Sequence, residues 1–345
     1  MNKYIPKIVL ILALVFLSSC QTNEKESREI NIYSQRHYAV DELQYENFTK
    51  MTGIKVNVTK ANADELIQRL KIEGSSSSAD LFITVDVGKL WQAGDMDLLQ
   101  KIEDETITSN IKKEFLDPNN FWVPVTFRSR IIVYSKDRVD VNELDSYESL
   151  ADKKWEDRLL IRSSSNSYNQ ALMSSIIANN GPKVAEQWSS DIVSNLARDP
   201  KGNDRDQVKA IAAGQGDLAV VNSYYIGLLL SSEKEDELNA GNSVGVFFPN
   251  QGNDQSGAHI NVSGIALTKN SPNKENALKL IAYLTSSVAQ QTYVDNTFEY
   301  SVNPEIEPNE IVKKWGDFKK DNLDLNMLGV KRNEAIRIFD KTGWK

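Results

Sequence analysis

Asn222-Ser223-Tyr224-Tyr225 sets two adjacent phenols at the end of the apolar run Leu218-Ala219-Val220-Val221. A deprotonated phenol is a hard, negative oxygen donor, and two side by side can hold a hard metal ion. Taken alone, the pair is better explained by two packing or surface aromatics. Placement is what adds weight. His37 and Tyr38 follow the first strand-like run in Ser34-Gln35-Arg36-His37-Tyr38, and Tyr168 follows residues 159–162 after a serine-rich turn. Tyr45, Tyr147 and Tyr283 instead fall inside segments that read as helices, where core packing is the ordinary role.

The elements that must carry these residues alternate. Residues 30–33 read as a strand, 40–51 as a helix stopped by Gly53, 54–58 as a strand, 64–72 as a helix ending at Gly74, and 79–85 as a buried strand. Such alternation implies a parallel sheet with helices on both faces. Residues 121–134 differ, being a long β-like run that carries Pro124, Arg128 and Arg130, and they suit a crossover between lobes. The pattern then restarts, with helices over 147–155, 170–179, 183–196 and 205–213 and strands over 159–162, 218–222, 244–248 and 260–267. Ser271-Pro272 reads as a helix start, and helices run to the end of the chain. The expected architecture is two α/β lobes joined by two crossings, with the ligand in the cleft at the carboxyl ends of strands. Residues 29–126 with about 250–302 would form the N-terminal lobe, and 127–249 with about 303–345 the C-terminal lobe.

The first 19 residues read as an export signal, with Lys3 and Lys7 before and at the start of an apolar run over 8–17 that is too short to span a bilayer. Leu17-Ser18-Ser19-Cys20 resembles the lipobox of bacterial lipoproteins, so cleavage before Cys20, acylation there and a polar tether over 20–28 are expected. Cys20 is the only cysteine, which leaves the mature domain without a disulfide or cysteine chemistry. The formal charge of −8 becomes −10 once Lys3 and Lys7 leave, an acidic balance that argues against nucleic acid. Catalysis is not indicated either: the chain carries no H-E-x-x-H pair or phosphate-binding P-loop.

The segments NIYSQRHYAVDELQYENFTKMTGIKV, ADLFITVD, WVPVTFRSRIIVYSK, SNSYNQALMSSIIA, VNSYYIG, HINVSGIALTK and FDKTGWK together resemble the ferric-ion-binding proteins that feed bacterial ABC iron transporters, over essentially all of residues 29–345. The resemblance implies a type II periplasmic-binding-protein fold whose lobes close on the ion, no catalytic turnover, and a permease and an ATPase as partners. In the all-tyrosine subtype it places Fe³⁺ on Tyr38, Tyr168, Tyr224 and Tyr225, with His37 as an optional further ligand. It also implies an extracytoplasmic monomer, here lipid-anchored to the membrane through Cys20. Four phenolates and Fe³⁺ carry one net negative charge, and a nearby arginine would lessen the cost of burying it. Arg128 is the candidate, although Arg130 lies on the same strand face and sequence separates the two poorly. His259 is expected to be structural. No clear acidic ligand accompanies His37, which sets the chain apart from the subtype that uses Glu and a synergistic anion; Asp86 is the reserve for such a ligand. The alternative is a protein of the same fold that binds a polyamine, thiamine or an oxyanion.

Overall fold

A computed structural model describes residues 28–345. The expected signal segment, Cys20 and the tether up to residue 27 lie outside the described residues. Among the described residues ten strands are formed: β1 (Glu29–Ser34), β2 (Lys55–Lys60), β3 (Leu81–Thr84), β4 (Leu99–Gln100), β5 (Trp122–Ser135), β6 (Leu159–Leu160), β7 (Leu218–Asn222), β8 (Val244–Phe247), β9 (Ile260–Thr268) and β10 (Tyr300–Ser301). The main path runs β2-β1-β3-β9-β5-β7-β6.

β5 belongs to both halves of this path. Its first part, Trp122 to Ser129, pairs with β9, and its second part, Arg130 to Tyr134, pairs with β7. Pro124 cannot donate to a ladder, and the register shifts between Pro124 and Thr126. The long run expected to cross between lobes therefore does so as one continuous strand.

The sheets are mixed rather than wholly parallel. β1 is parallel to β2 and β3, and β6 to β7, whereas β9 runs antiparallel to both β3 and β5. A strand from late in the chain has slotted between two early ones, a pairing that local periodicity does not encode. The helix expected over 147–155 is instead two short 3₁₀ turns, Glu148–Ala151 and Lys153–Trp155, with Asp152 extended between them. The side-chain amide of Asn195 donates to the carbonyls of Leu150 and Asp152 at 2.8 and 3.0 Å, which removes them from helical bonding.

Two bodies of core result. One gathers Ile30, Phe82, Trp122, Ile265 and Leu280, built on β1, β3, β9 and the first half of β5. In the other, side chains alternate across the second half of β5 and across β7. Ile132, Leu218 and Val220 pack on one face, and Ile131, Val133, Ala219 and Val221 on the other. The C-terminal segment serves both bodies, since Val312, Leu325 and Leu328 join the first and Ala335, Ile338, Phe339 and Trp344 the second. No helix among the described residues is long and apolar enough to cross a membrane.

Candidate metal site

Each candidate tyrosine stands where a strand hands over to a helix. β1 ends at Ser34, and Tyr38 is the N-cap of the helix Ala39–Thr52, its backbone extended at φ −76° and ψ 146°. The Asp41 carboxylate accepts from the Tyr38 amide at 3.3 Å and from Arg36 Nε at 3.0 Å. The Arg36 guanidinium then lies 4.8 Å from the centre of the Tyr38 ring, while its Nη1 donates to Thr126 Oγ1 and Glu299 Oε2 at 3.3 and 3.4 Å. Tyr168 lies in the first turn of the helix Ser167–Asn180, where Asn166 caps its amide at 3.0 Å. Tyr224 and Tyr225 open the helix Tyr224–Leu230 directly after β7.

These four phenols come together. The Tyr168 and Tyr224 hydroxyls are 3.4 Å apart, and the Tyr224 and Tyr225 rings lie 4.2 Å centre to centre. Burial pushes the Tyr38 phenol up, and the Glu299 carboxylate and Tyr168 push it further, against an opposing hydrogen bond from Tyr224 and the charge of Arg36. Burial likewise raises Tyr224 well above its ordinary value, with Tyr168, Tyr38 and Tyr225 adding to it. Tyr225 is raised by burial, Tyr168 and Asp204, and eased by Arg162. Tyr38, Tyr224 and Tyr225 are thus held toward the neutral phenol, and a multivalent cation among them would favour ionisation.

A cleft of about 420 Å³ opens onto the set, lined by His37, Tyr38, Arg205, Tyr224, Tyr225 and Glu299 among others. Tyr168 does not line that cleft and meets the set through Tyr224. His37 is exposed, with Nδ1 3.2 Å from the Gln35 carbonyl and its ring centre 5.6 Å from that of Tyr38.

The structure separates the two arginines of β5. Arg130 is committed to the protein through both terminal nitrogens, donating to Asp204, Asn222, Asn169 and the Val220 carbonyl at 2.7–3.3 Å. Arg128 donates through Nη2 to the Val85 carbonyl, leaves Nη1 buried without a partner, and lies 5.4 Å from the Tyr168 ring centre. Arg162 flanks the same ring at 5.5 Å while paired to Asp204 at 2.8 Å. Arg162 and Glu299 are not among the residues that the sequence singles out. Glu299 is 1% exposed, accepts from Thr126 Oγ1 at 2.7 Å, and faces Tyr38 and Tyr224. Its neighbours come from distant segments, and no motif announces it.

Asp86 does not join the tyrosines. It caps the helix Val87–Asp95, accepting from the Gly88 amide at 2.8 Å and facing the Asn261 amide at 3.5 Å. His259 is buried near the two arginines, and burial together with their charge lowers its pKa to about 3. Among the described residues, no group of three His, Cys, Asp or Glu side chains is arranged to hold a metal. Metal binding here would fall to the phenols.

Comparison with known proteins places the chain. Residues 44–320 match the bacterial extracellular solute-binding protein family. "Iron uptake protein A1" of Synechocystis is 42% identical over 320 residues, covering 93% of this chain and 88% of the relative. A Trichodesmium protein solved with iron and citrate ligands superposes with a TM-score of 0.87 at 42% identity, over 92% of this chain and 100% of that one. The Campylobacter jejuni ferric binding protein gives 0.87 at 40% identity, over 92% of this chain and 100% of that one. These relatives are binding and uptake proteins rather than enzymes, and the fold they share with this chain is the type II periplasmic-binding-protein fold. The chain belongs to the bacterial extracellular solute-binding protein family, and its similar relatives are named for iron uptake and for ferric binding.

Proposed function

We propose that this protein captures ferric iron outside the cytoplasmic membrane through Tyr38, Tyr168, Tyr224 and Tyr225 and delivers it to an ABC transporter. The observation that carries the reading is the convergence of these phenols from separate helix starts, with the Tyr168 and Tyr224 hydroxyls 3.4 Å apart. Fe³⁺ is a hard cation whose field drives phenols to ionise, so phenols grouped beside a cleft are suited to capture it. Arg128, with a free Nη1 beside Tyr168, would offset the one negative charge of the filled site. His37 serves as an optional ligand at the cleft mouth.

Residues 29–126 with about 250–302, and 127–249 with about 303–345, act in this reading as the N- and C-terminal lobes of a hinged monomer. Acylation of Cys20 after removal of residues 1–19 would hold the domain on the membrane beside the permease and its ATPase. Protonation of a phenolate, or one-electron reduction to Fe²⁺ by an external donor, would weaken the site and accompany opening.

The test is a visible titration of the metal-stripped domain, beginning at Gln21, with ferric citrate. A broad charge-transfer band saturating at one iron per protein is expected. A folded protein that stays colourless defeats the ferric reading and turns attention to an organic solute such as a polyamine.

A further inference from the structure

The helix Tyr224–Leu230 has two faces. Ile226 and Leu229 pack into the core of their own lobe, while Tyr224, Tyr225 and Leu228 pack against the core built on β1, β3 and β9. Gly227 sits three residues after Tyr224, close to the same face as Tyr224 and Leu228. A Cβ placed on Gly227 would lie 2.4 Å from Cγ, 2.6 Å from Cβ and 2.7 Å from Cδ1 of Phe298. The Phe298 side chain thus occupies a notch that only the absence of a side chain leaves open.

Phe298 is held there at a conformational cost. It follows the helix Ser287–Thr297 with φ 58°, a left-handed backbone that is uncommon for a bulky residue, and it is buried. Such a conformation persists where the surroundings impose it. Its sequence neighbours Thr297 and Glu299 both line the cleft, and β10, which begins at Tyr300, pairs with β5 at Phe127 and Thr126. A knob fixed to one lobe therefore enters a hole on the helix that carries two of the four tyrosines.

We propose that Phe298 and Gly227 form the latch that sets the closed geometry, a positioning role that brings Tyr224 and Tyr225 onto Tyr38. It rests on the ferric reading only for the identity of the ligand. With an alanine replacing Gly227 the helix cannot seat on Phe298, and the tyrosine pair stands off from its partners.

The test compares wild type, Gly227→Ala, Phe298→Ala and the double variant Gly227→Ala/Phe298→Gly. Readouts are the ferric titration and the radius of gyration by small-angle scattering. Gly227→Ala is expected to weaken ferric binding by about ten- to a hundredfold and to enlarge the radius. Glycine at 298 removes all three atoms that the new Cβ would meet, so the double variant should recover part of both relative to Gly227→Ala, whereas two unrelated losses of stability would add. Wild-type affinity and radius in Gly227→Ala, or no recovery in the double variant, overturns the latch. If Gly227→Ala does not fold, Phe298→Ala decides, since removing the knob should weaken binding and enlarge the radius while unchanged values overturn the proposal. A colourless wild type defeats the ferric reading alone, because the radii of the iron-free forms still decide the latch.

Discussion

Tyr224 and Tyr147 are both buried phenols whose ionisation burial makes harder, yet their hydroxyls are committed differently. Tyr147 donates to the Arg130 carbonyl and accepts from the His259 amide at 3.0 Å, both fixed backbone groups. Tyr224 instead faces other phenols: Tyr168 at 3.4 Å, with Tyr38 and Tyr225 acting on it. A raised phenol pKa therefore does not mark a site in this protein. What marks the proposed site is a set of phenols that face one another, three of them lining an open cleft.

The sharpest way to break that distinction is Tyr224→Phe or Tyr225→Phe. Each removes one hydroxyl and little packing volume, so the iron-free melting temperature should stay within a few degrees, about the scale of 1 kcal/mol. Ferric affinity should fall by about a hundredfold or more, because loss of one charged donor is worth about 3 kcal/mol. Unchanged affinity in both variants, read from the charge-transfer titration, would remove these residues from the site.

The core side of the comparison predicts pH effects of a different kind. His259 has a folded pKa near 3 against 6.5 for the free side chain. Between these values the unfolded chain binds the proton and the folded chain does not, so stability is full above pH 6.5 and is lost as the pH falls toward 3. At pH 5 this amounts to about 2 kcal/mol. His259→Leu should flatten the melting temperature between about pH 6.5 and 5 while leaving the ferric band at about pH 7 in place. A slope equal to wild type would show that other groups control it. Tyr147→Phe strands a buried amide and a carbonyl and should cost about 1–2 kcal/mol by denaturant titration, again without changing the colour of the iron complex. A bleached band would erase the boundary between the two sets.

Much of this arrangement is legible in the sequence, and the exceptions have physical reasons. The rule that ligands gather at the carboxyl ends of strands picks out all four tyrosines, because strand ends and helix starts are written in local periodicity and capping residues such as Asn166. The same periodicity cannot show β9 entering between β3 and β5, nor the 3₁₀ turns around Asp152. Those depend on partners brought in from elsewhere, as with Asn195. Glu299 escapes sequence reasoning for a related cause, since its contact with Arg36 spans 263 residues of chain. Arg128 and Arg130 are indistinguishable by spacing and differ only in what their guanidinium groups meet.

That difference gives the next prediction. Arg128→Met keeps most of the side-chain length and removes the cation beside Tyr168. A cation favours the phenolate, so its loss should weaken ferric binding about tenfold at pH ~7, and more as protons compete better at lower pH. A loss as large as that of a tyrosine would recast Arg128 as a direct participant, and no loss would pass its role to Arg162.

The smallest effect is expected at His37, where the comparison meets the solvent. The imidazole is exposed at the cleft mouth, with Nδ1 turned to the Gln35 carbonyl, and Tyr38 beside it is the residue whose ring is held over Arg36. Water can take the place of an exposed neutral donor at little cost, whereas nothing replaces a buried phenolate. His37→Ala should therefore lower ferric affinity by less than about threefold, roughly under 1 kcal/mol. The charge-transfer band, which reports phenolate donors, should keep its position. A tenfold loss with the band unmoved would make His37 a fifth ligand, and would mean that the donor set extends beyond the phenols to the imidazole that lines the cleft.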